Sequence, residues 1–117
     1  EKTNVDALAV SFGTVHGVYR GTPKLDLERL AAIRRQIDLP LVMHGGSGLS
    51  EEDFRNVIKY GINKINYFTA VSFAAVEEIK LALAEKNGKV FYPELIARAL
   101  QKAKEEVVRA ITMFGNR

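Results

Sequence analysis

Residues 41–53 read "LVMHGGSGLSEED", and three signals follow one another there without a gap. An apolar run covering residues 39–43 stops at His44-Gly45-Gly46; it is short and bounded by glycine, which reads as a buried strand and not a helix. Ser50 with Asp53 three residues on resembles a capping box, the pattern that opens a helix. Phe54, Val57 and Ile58 then recur at helical spacing. A strand passing through glycine into a capped helix is half of a β-α-β unit, and strands that alternate with helices form parallel sheets.

The neighbouring sequence repeats this order. Upstream, residues 6–12, "DALAVSF", form an apolar segment stopped by Gly13, and Leu27, Leu30, Ile33 and Ile37 mark a helix that Asp26, after Pro23, is placed to cap. Downstream, residues 62–67, "INKINY", make a third and weaker strand. Thr69 is expected to begin a longer helix carrying Phe73, Val76, Ile79 and Leu83, closed at Asn87-Gly88 by a left-handed C-cap. A last helix starts near Pro93 and shows Ile96, Leu100, Ala103, Val107, Ile111 and Phe114 along one face. The predicted order is βαβαβα, then α.

Three parallel strands make an incomplete sheet. A full (β/α)8 barrel takes roughly 250 residues, so barrel sequence of this length would be under half of one. The chain begins at Glu1 with no Met and enters a strand-like run almost at once, the pattern expected of a piece of a longer polypeptide. No internal repeat, linker or low-complexity tract divides it, so residues 1–117 read as one domain piece.

Composition narrows the function classes. Of the 117 residues, 47% are hydrophobic and 26% charged, the makeup of an ordinary globular unit. The net charge is +3, yet basic and acidic residues alternate along the helices without forming a run, which argues against nucleic acid. The chain has no cysteine, so disulfides and Cys-rich zinc modules are excluded and a reducing cytoplasm is expected. No apolar run reaches the roughly 18 to 20 residues of a membrane span, and the N-terminus lacks a signal pattern. Lys24, Arg34, Arg35 and Lys59 read as coats on helix faces, and Phe12, Tyr19, Tyr67 and Phe68 as packing.

In parallel α/β folds chemistry gathers at the carboxyl ends of the strands. Here those ends carry Thr14, His16 and Gly17 on the first strand, His44, Gly45, Gly46 and Ser47 on the second, and Asn66 and Thr69 on the third. The chain has only two histidines, and each is followed by glycine. Two imidazoles brought to one rim can hold a divalent metal, as zinc does through neutral ring nitrogens; alternatively each caps its strand and bonds a carbonyl. Residues 45–48, "GGSG", ahead of a capped helix can bring backbone N–H groups to a phosphate, helped by the helix dipole, or can be a tight turn. Ser47 and Thr69 can add hydroxyl donors and Arg20 a mobile cation, though Thr69 can equally cap the helix after it. Asn66 can donate to a developing oxyanion or form a turn.

The succession "VDALAVSFGTVHGVYRGTPKLD", "IDLPLVMHGGSG" and "GINKINYFT" resembles the C-terminal half of the class II, zinc-dependent ketose-bisphosphate aldolases, the family of fructose- and tagatose-bisphosphate aldolases. The likeness runs from Asn4 to about Phe114. It implies an α/β fold, the C-terminal part of a (β/α)8 TIM barrel with about three parallel strands, their helices and a C-terminal helix. The activity it implies is reversible aldol cleavage of a ketose 1,6-bisphosphate to dihydroxyacetone phosphate and glyceraldehyde 3-phosphate, in a cytoplasmic, glycolytic homo-oligomer. By the same resemblance His16 and His44 are two of three zinc ligands. Gly17, Arg20, Gly45, Gly46, Ser47 and Thr69 bind phosphate, Asn66 contacts the enediolate, and carbonyls of Val15, Gly17 and Gly45 hold a monovalent cation, Na+ or K+. The family's remaining zinc His and its catalytic Asp lie earlier in the barrel, outside this sequence, so the chain alone is expected to be inactive and to need the rest of the barrel as partner. Arg20 stands where the family commonly has Lys, which changes reach and hydrogen-bond geometry. Phe68 and Ala70 depart from the family's common residues as well, leaving the sugar open. Two other readings fit the residues: a metal-independent barrel binding sugar phosphates, and a non-catalytic phosphate-binding module.

Overall fold

The computed structural model describes residues 3–17 and 21–115. The chain folds as two compact units, Glu1–Tyr67 and Phe68–Arg117.

The first unit holds β1 (Leu8–Ala9), α1 (Leu27–Gln36), β2 (Leu41–Met43), α2 (Glu51–Lys59) and β3 (Ile62–Ile65). The strands form one parallel sheet in the order β1-β2-β3, with β2 and β3 each reached through a helix as a parallel neighbour must be. They are shorter than the apolar runs that announce them, because the ladder covers only part of each run. Leu8 pairs with Leu41 and Ala9 with Val42, and the contact continues in the Val10 N–H, which donates to the Val42 carbonyl at 3.2 Å.

On the other side of β2, Leu41 pairs with Ile62 but Val42 pairs with Lys64, so Asn63 is an extra residue in β3, a bulge. Its side chain repairs the ladder: Asn63 Oδ1 accepts the Leu41 N–H at 3.0 Å. All three residues of β2 are buried, as expected of the central strand of a parallel sheet. Phe12, Leu30, Phe54, Val57 and Ile62 complete this core.

Both helix starts predicted for this unit are present. Asp26 caps α1 by accepting the Arg29 N–H at 2.9 Å, and its own N–H donates to the Phe12 carbonyl at 2.7 Å. Ser50 Oγ accepts the Asp53 N–H at 3.1 Å while Asp53 Oδ2 accepts the Ser50 N–H at 2.9 Å, a complete capping box.

The second unit is a pair of packed helices, α3 (Thr69–Glu85) and α4 (Tyr92–Gly115). The stop at Asn87-Gly88 is a Schellman motif: Gly88 N–H donates to Leu83 O at 2.7 Å and Asn87 N–H to Ala84 O at 3.2 Å, with Asn87 at φ 49°. Arg98 ties the helices together, donating from Nε to Glu78 at 2.7 Å and from Nη1 to Glu85 at 2.6 Å.

The expected apolar faces are only partly covered, with Ile79, Ile96, Ala103 and Phe114 half-buried. In α4 the buried residues are Ala99, Ala110 and Met113, whereas Leu100, Val107 and Ile111 are exposed. In α3 Ala82 is buried, and Phe73, Val76 and Leu83 are exposed. Apolar residues lie on more than one side of each helix, and periodicity singles out the bulkier ones. Thr69 does not cap α3: it is the first helical residue, and the N-cap is Phe68, with no side-chain cap bond.

Candidate functional site

Because the strands of the first unit run parallel, their carboxyl ends share one edge of the sheet. His44 directly follows Met43, the last residue of β2. Asn66 lies one residue past β3, and its N–H donates to the Met43 carbonyl at 2.9 Å, which extends the ladder and holds Asn66 beside His44. The backbone of Asn66 is therefore engaged in strand pairing and not in a turn.

His16 is carried by the β1–α1 loop. The loop's course is set by two glycines whose backbone approaches leave no room for a side chain. A Cβ on Gly13, at φ 108°, would lie 2.3 Å from the Lys24 carbonyl oxygen, and one on Gly45, at φ 72°, would lie 2.3 Å from that of Val15. The second approach presses the residue before His16 against the residue after His44. The two imidazoles are consequently neighbours, with ring centroids 5.3 Å apart and planes inclined by 59°.

That spacing suits a shared ion. Two imidazoles bound through nitrogen at about 2.0 to 2.1 Å, at a near-tetrahedral angle, have ring centres roughly 5 Å apart. His16 is exposed and His44 half-buried. Among the described residues no third His, Cys, Asp or Glu joins them to complete a metal-holding group.

Asn66 Nδ2 lies 2.9 Å from both Nδ1 and Nε2 of His44. A neutral imidazole has an in-plane lone pair on one nitrogen only, so at most one of these approaches is a hydrogen bond. The other end of the amide, Oδ1, accepts from Lys64 Nζ. The sequence offered no signal for Lys64, because a lysine in a weak strand reads as solvated.

Gly46 is buried, and a Cβ there would meet Met43 Cε and Phe54 Cε1, each at 3.1 Å. The loop then turns, with Leu49 N–H donating to Gly46 O at 3.2 Å, and Ser47 is half-buried in that turn. The expectation that α2 lends its dipole to an anion here needs correction. The capping box occupies the Ser50 and Asp53 amides, and Glu51, Glu52 and Asp53 place three carboxylates in the first turn. Negative charge already complements the dipole, so the start of α2 offers an anion little further attraction.

Gly17 is left-handed, at φ 81°, with nothing within 4 Å of the position a Cβ would take. Val15 and Gly45 are brought into backbone contact. Arg20 and Tyr19 lie outside the described residues. Thr69 belongs to the second unit, at the start of α3.

Tyr67 packs as expected, edge-on to Phe54 at 5.9 Å, and Phe12 is buried. Phe68, read as packing, is 76% exposed. Arg34, Arg35 and Lys59 sit in the last turns of α1 and α2, where cations complement helix C-termini. Arg34 also donates to the Leu39 carbonyl at 3.0 Å.

Comparison with known proteins adds to this geometry. The family model for class-II fructose-bisphosphate aldolase matches residues 1–117. The YdjI aldolase of Escherichia coli K12 superposes with a TM-score of 0.82 at 32% identity over 97% of this chain. A candidate fructose-1,6-bisphosphate aldolase from Coccidioides immitis gives 0.82 at 28% identity, also over 97%. A fructose-bisphosphate aldolase from Campylobacter jejuni shares the fold, with a TM-score of 0.71 at 22% identity over 93%. The chain spans 40%, 39% and 39% of the lengths of these three structures. The three parallel strands and four helices of the described residues correspond to a segment of their TIM-barrel fold.

Proposed function

The chain belongs to the class-II fructose-bisphosphate aldolase family, and on that premise we propose that it forms the C-terminal part of a single barrel domain catalysing reversible aldol cleavage. The substrate is a ketose 1,6-bisphosphate, fructose or its tagatose epimer, and the products are dihydroxyacetone phosphate and glyceraldehyde 3-phosphate. His16 and His44 hold a zinc ion together with a third ligand from the remainder of the barrel. The observation that carries this reading is the 5.3 Å approach of the two imidazoles, with the Asn66 amide 2.9 Å from one of them.

As the hydroxyl on the fourth carbon gives its proton to a base in the remainder of the barrel and becomes the aldehyde carbonyl, the bond between the third and fourth carbons breaks and its electron pair delocalises onto the ketone oxygen. When bound, zinc supplies a positive charge to stabilise that developing oxyanion. The chain's own residues hold and orient the substrate. Asn66 turns an N–H donor toward the same charge, a preorganised contact of the kind that lowers barriers most. Gly17, Gly45, Gly46 and Ser47 would cradle the phosphate, with Arg20 and Thr69 as further candidates, and the carbonyls of Val15, Gly17 and Gly45 would hold Na+ or K+. Gripping the remote phosphate orients the reacting carbons, so binding energy contributes to turnover.

The assembly is a homo-oligomer in the cytoplasm. Among the described residues no helix is long and apolar enough to cross a membrane. The test is release of triose phosphate from each epimer by the intact protein, before and after chelation. Cleavage that stops on zinc removal, returns with zinc and is nearly abolished by His44→Ala supports the proposal. Cleavage that survives complete zinc removal contradicts it and favours a metal-independent barrel.

A further inference from the structure

The two ends of the Asn66 amide are nearly identical in shape and opposite in hydrogen-bonding character, so its neighbours decide which end points where. On one side stands His44, 2.9 Å from Nδ2. On the other, Lys64 Nζ meets Oδ1. A lysine ammonium has three donors and no acceptor, so it can engage only the oxygen. Lys64 and Asn66 are two residues apart on one extended run and leave the same face of it. The backbone there is held at both points, by the pairing of Lys64 with Val42 and by the bond from Asn66 to Met43. Among the described residues Lys64 has no carboxylate partner, and Asn66 is its polar contact.

We propose that Lys64 is a positioning residue that holds the Asn66 carbonyl oxygen away from His44 and so directs the amide N–H groups into the site. The inference rests on the aldolase reading above, in which the place beside His44 must accept a developing negative charge. An amide oxygen turned inward would repel that charge, whereas its N–H groups stabilise it. Lys64 acts through Asn66 and touches no reacting atom.

The test compares four variants of the intact protein: Lys64→Met, Lys64→Arg, Asn66→Ala and the double variant Lys64→Met/Asn66→Ala. Lys64→Met is expected to lower kcat about 10- to 100-fold, the usual cost of losing a supporting hydrogen bond around a metal site, with KM little changed. Lys64→Arg should restore most of the rate. In the Asn66→Ala background Lys64→Met should cost nothing further. A readout independent of turnover is the Asn66 side-chain amide resonance in zinc-free, 15N-labelled protein, identified by its loss in Asn66→Ala. It should shift in Lys64→Met and much less in Lys64→Arg. The same fold-loss from Lys64→Met with and without Asn66, or an amide resonance that does not move, overturns the proposal. Wild-type turnover in Asn66→Ala overturns the site reading, and this role with it, even where the resonance confirms the contact.

Discussion

Gly45 is the point at which the two histidine-bearing loops touch, and replacing it with alanine tests how closely they are packed. A Cβ there would lie 2.3 Å from the Val15 carbonyl oxygen, 2.5 Å from its carbonyl carbon and 3.0 Å from its nitrogen. All three are backbone atoms, so no rotamer change relieves the overlap. The variant carries two separable costs. Holding an L-residue in the left-handed region, here φ 72°, costs about 1–2 kcal/mol. Forcing the Val15 backbone away adds about 1–3 kcal/mol, the usual range for overpacking. Gly88→Ala carries the first cost alone, since its φ is 76° and nothing lies within 4 Å of its Cβ position, so the difference between the two variants gives the second. Urea denaturation of the intact protein should therefore show a loss of about 2–5 kcal/mol for Gly45→Ala and about 1–2 kcal/mol for Gly88→Ala. Because Val15 precedes His16, zinc titration should also show weaker binding in Gly45→Ala alone. Losses within about 0.5 kcal/mol of each other, the limit for independent sites, would refute the close approach of the two loops.

The remaining predictions concern the frame beneath the site. Phe54, 1% exposed and set edge-on to Tyr67, should cost about 3–5 kcal/mol of unfolding free energy as Phe54→Ala; a loss below 1 kcal/mol would show that the core under the glycine loop is not closed. Ser50→Ala removes the acceptor of the Asp53 N–H and should cost about 0.5–2 kcal/mol, whereas Ser50→Gly should cost only a few tenths. In the second unit the hydrogen bond from Arg98, and then its charge, hold the Glu85 carboxyl below its ordinary value near 4.5. A depressed folded value means that this contribution is complete above that ordinary value and is lost as pH falls through the lowered one. Wild-type protein should therefore lose more stability on acidification than Arg98→Met, and parallel pH curves would contradict the pairing.

The order of elements was legible because its signals are local. The Ser50–Asp53 box and the Asp26 cap are written within three or four residues, as is the Asn87-Gly88 stop, and nothing distant overrides them. The nearness of His16 and His44 was legible for a similar reason: parallel strands bring their carboxyl ends together wherever the helices fall. What escaped notice depends on pairing across elements. The bulge at Asn63 comes from register with β2, and no residue count within β3 reveals it. Along α4 the expected stripe is half-buried at Ile96, Ala103 and Phe114 but exposed at Leu100, Val107 and Ile111, a split that periodicity within one helix does not reveal. The sequence joins the glycine loop to a capped helix and so suggests help from its dipole; Glu51, Glu52 and Asp53 in the first turn already complement that dipole. Lys64 became interpretable only when its ammonium was found on the Asn66 oxygen.

Anomalous diffraction at the zinc edge, from crystals of the intact protein grown with zinc, bears most directly on whether the two imidazoles serve one ion. The account predicts a single peak about 2.0–2.1 Å from one ring nitrogen of His16 and one of His44, with the Asn66 amide N–H groups facing the ion's open side. A peak that touches only one ring, or none near the pair although zinc is bound elsewhere, would contradict it.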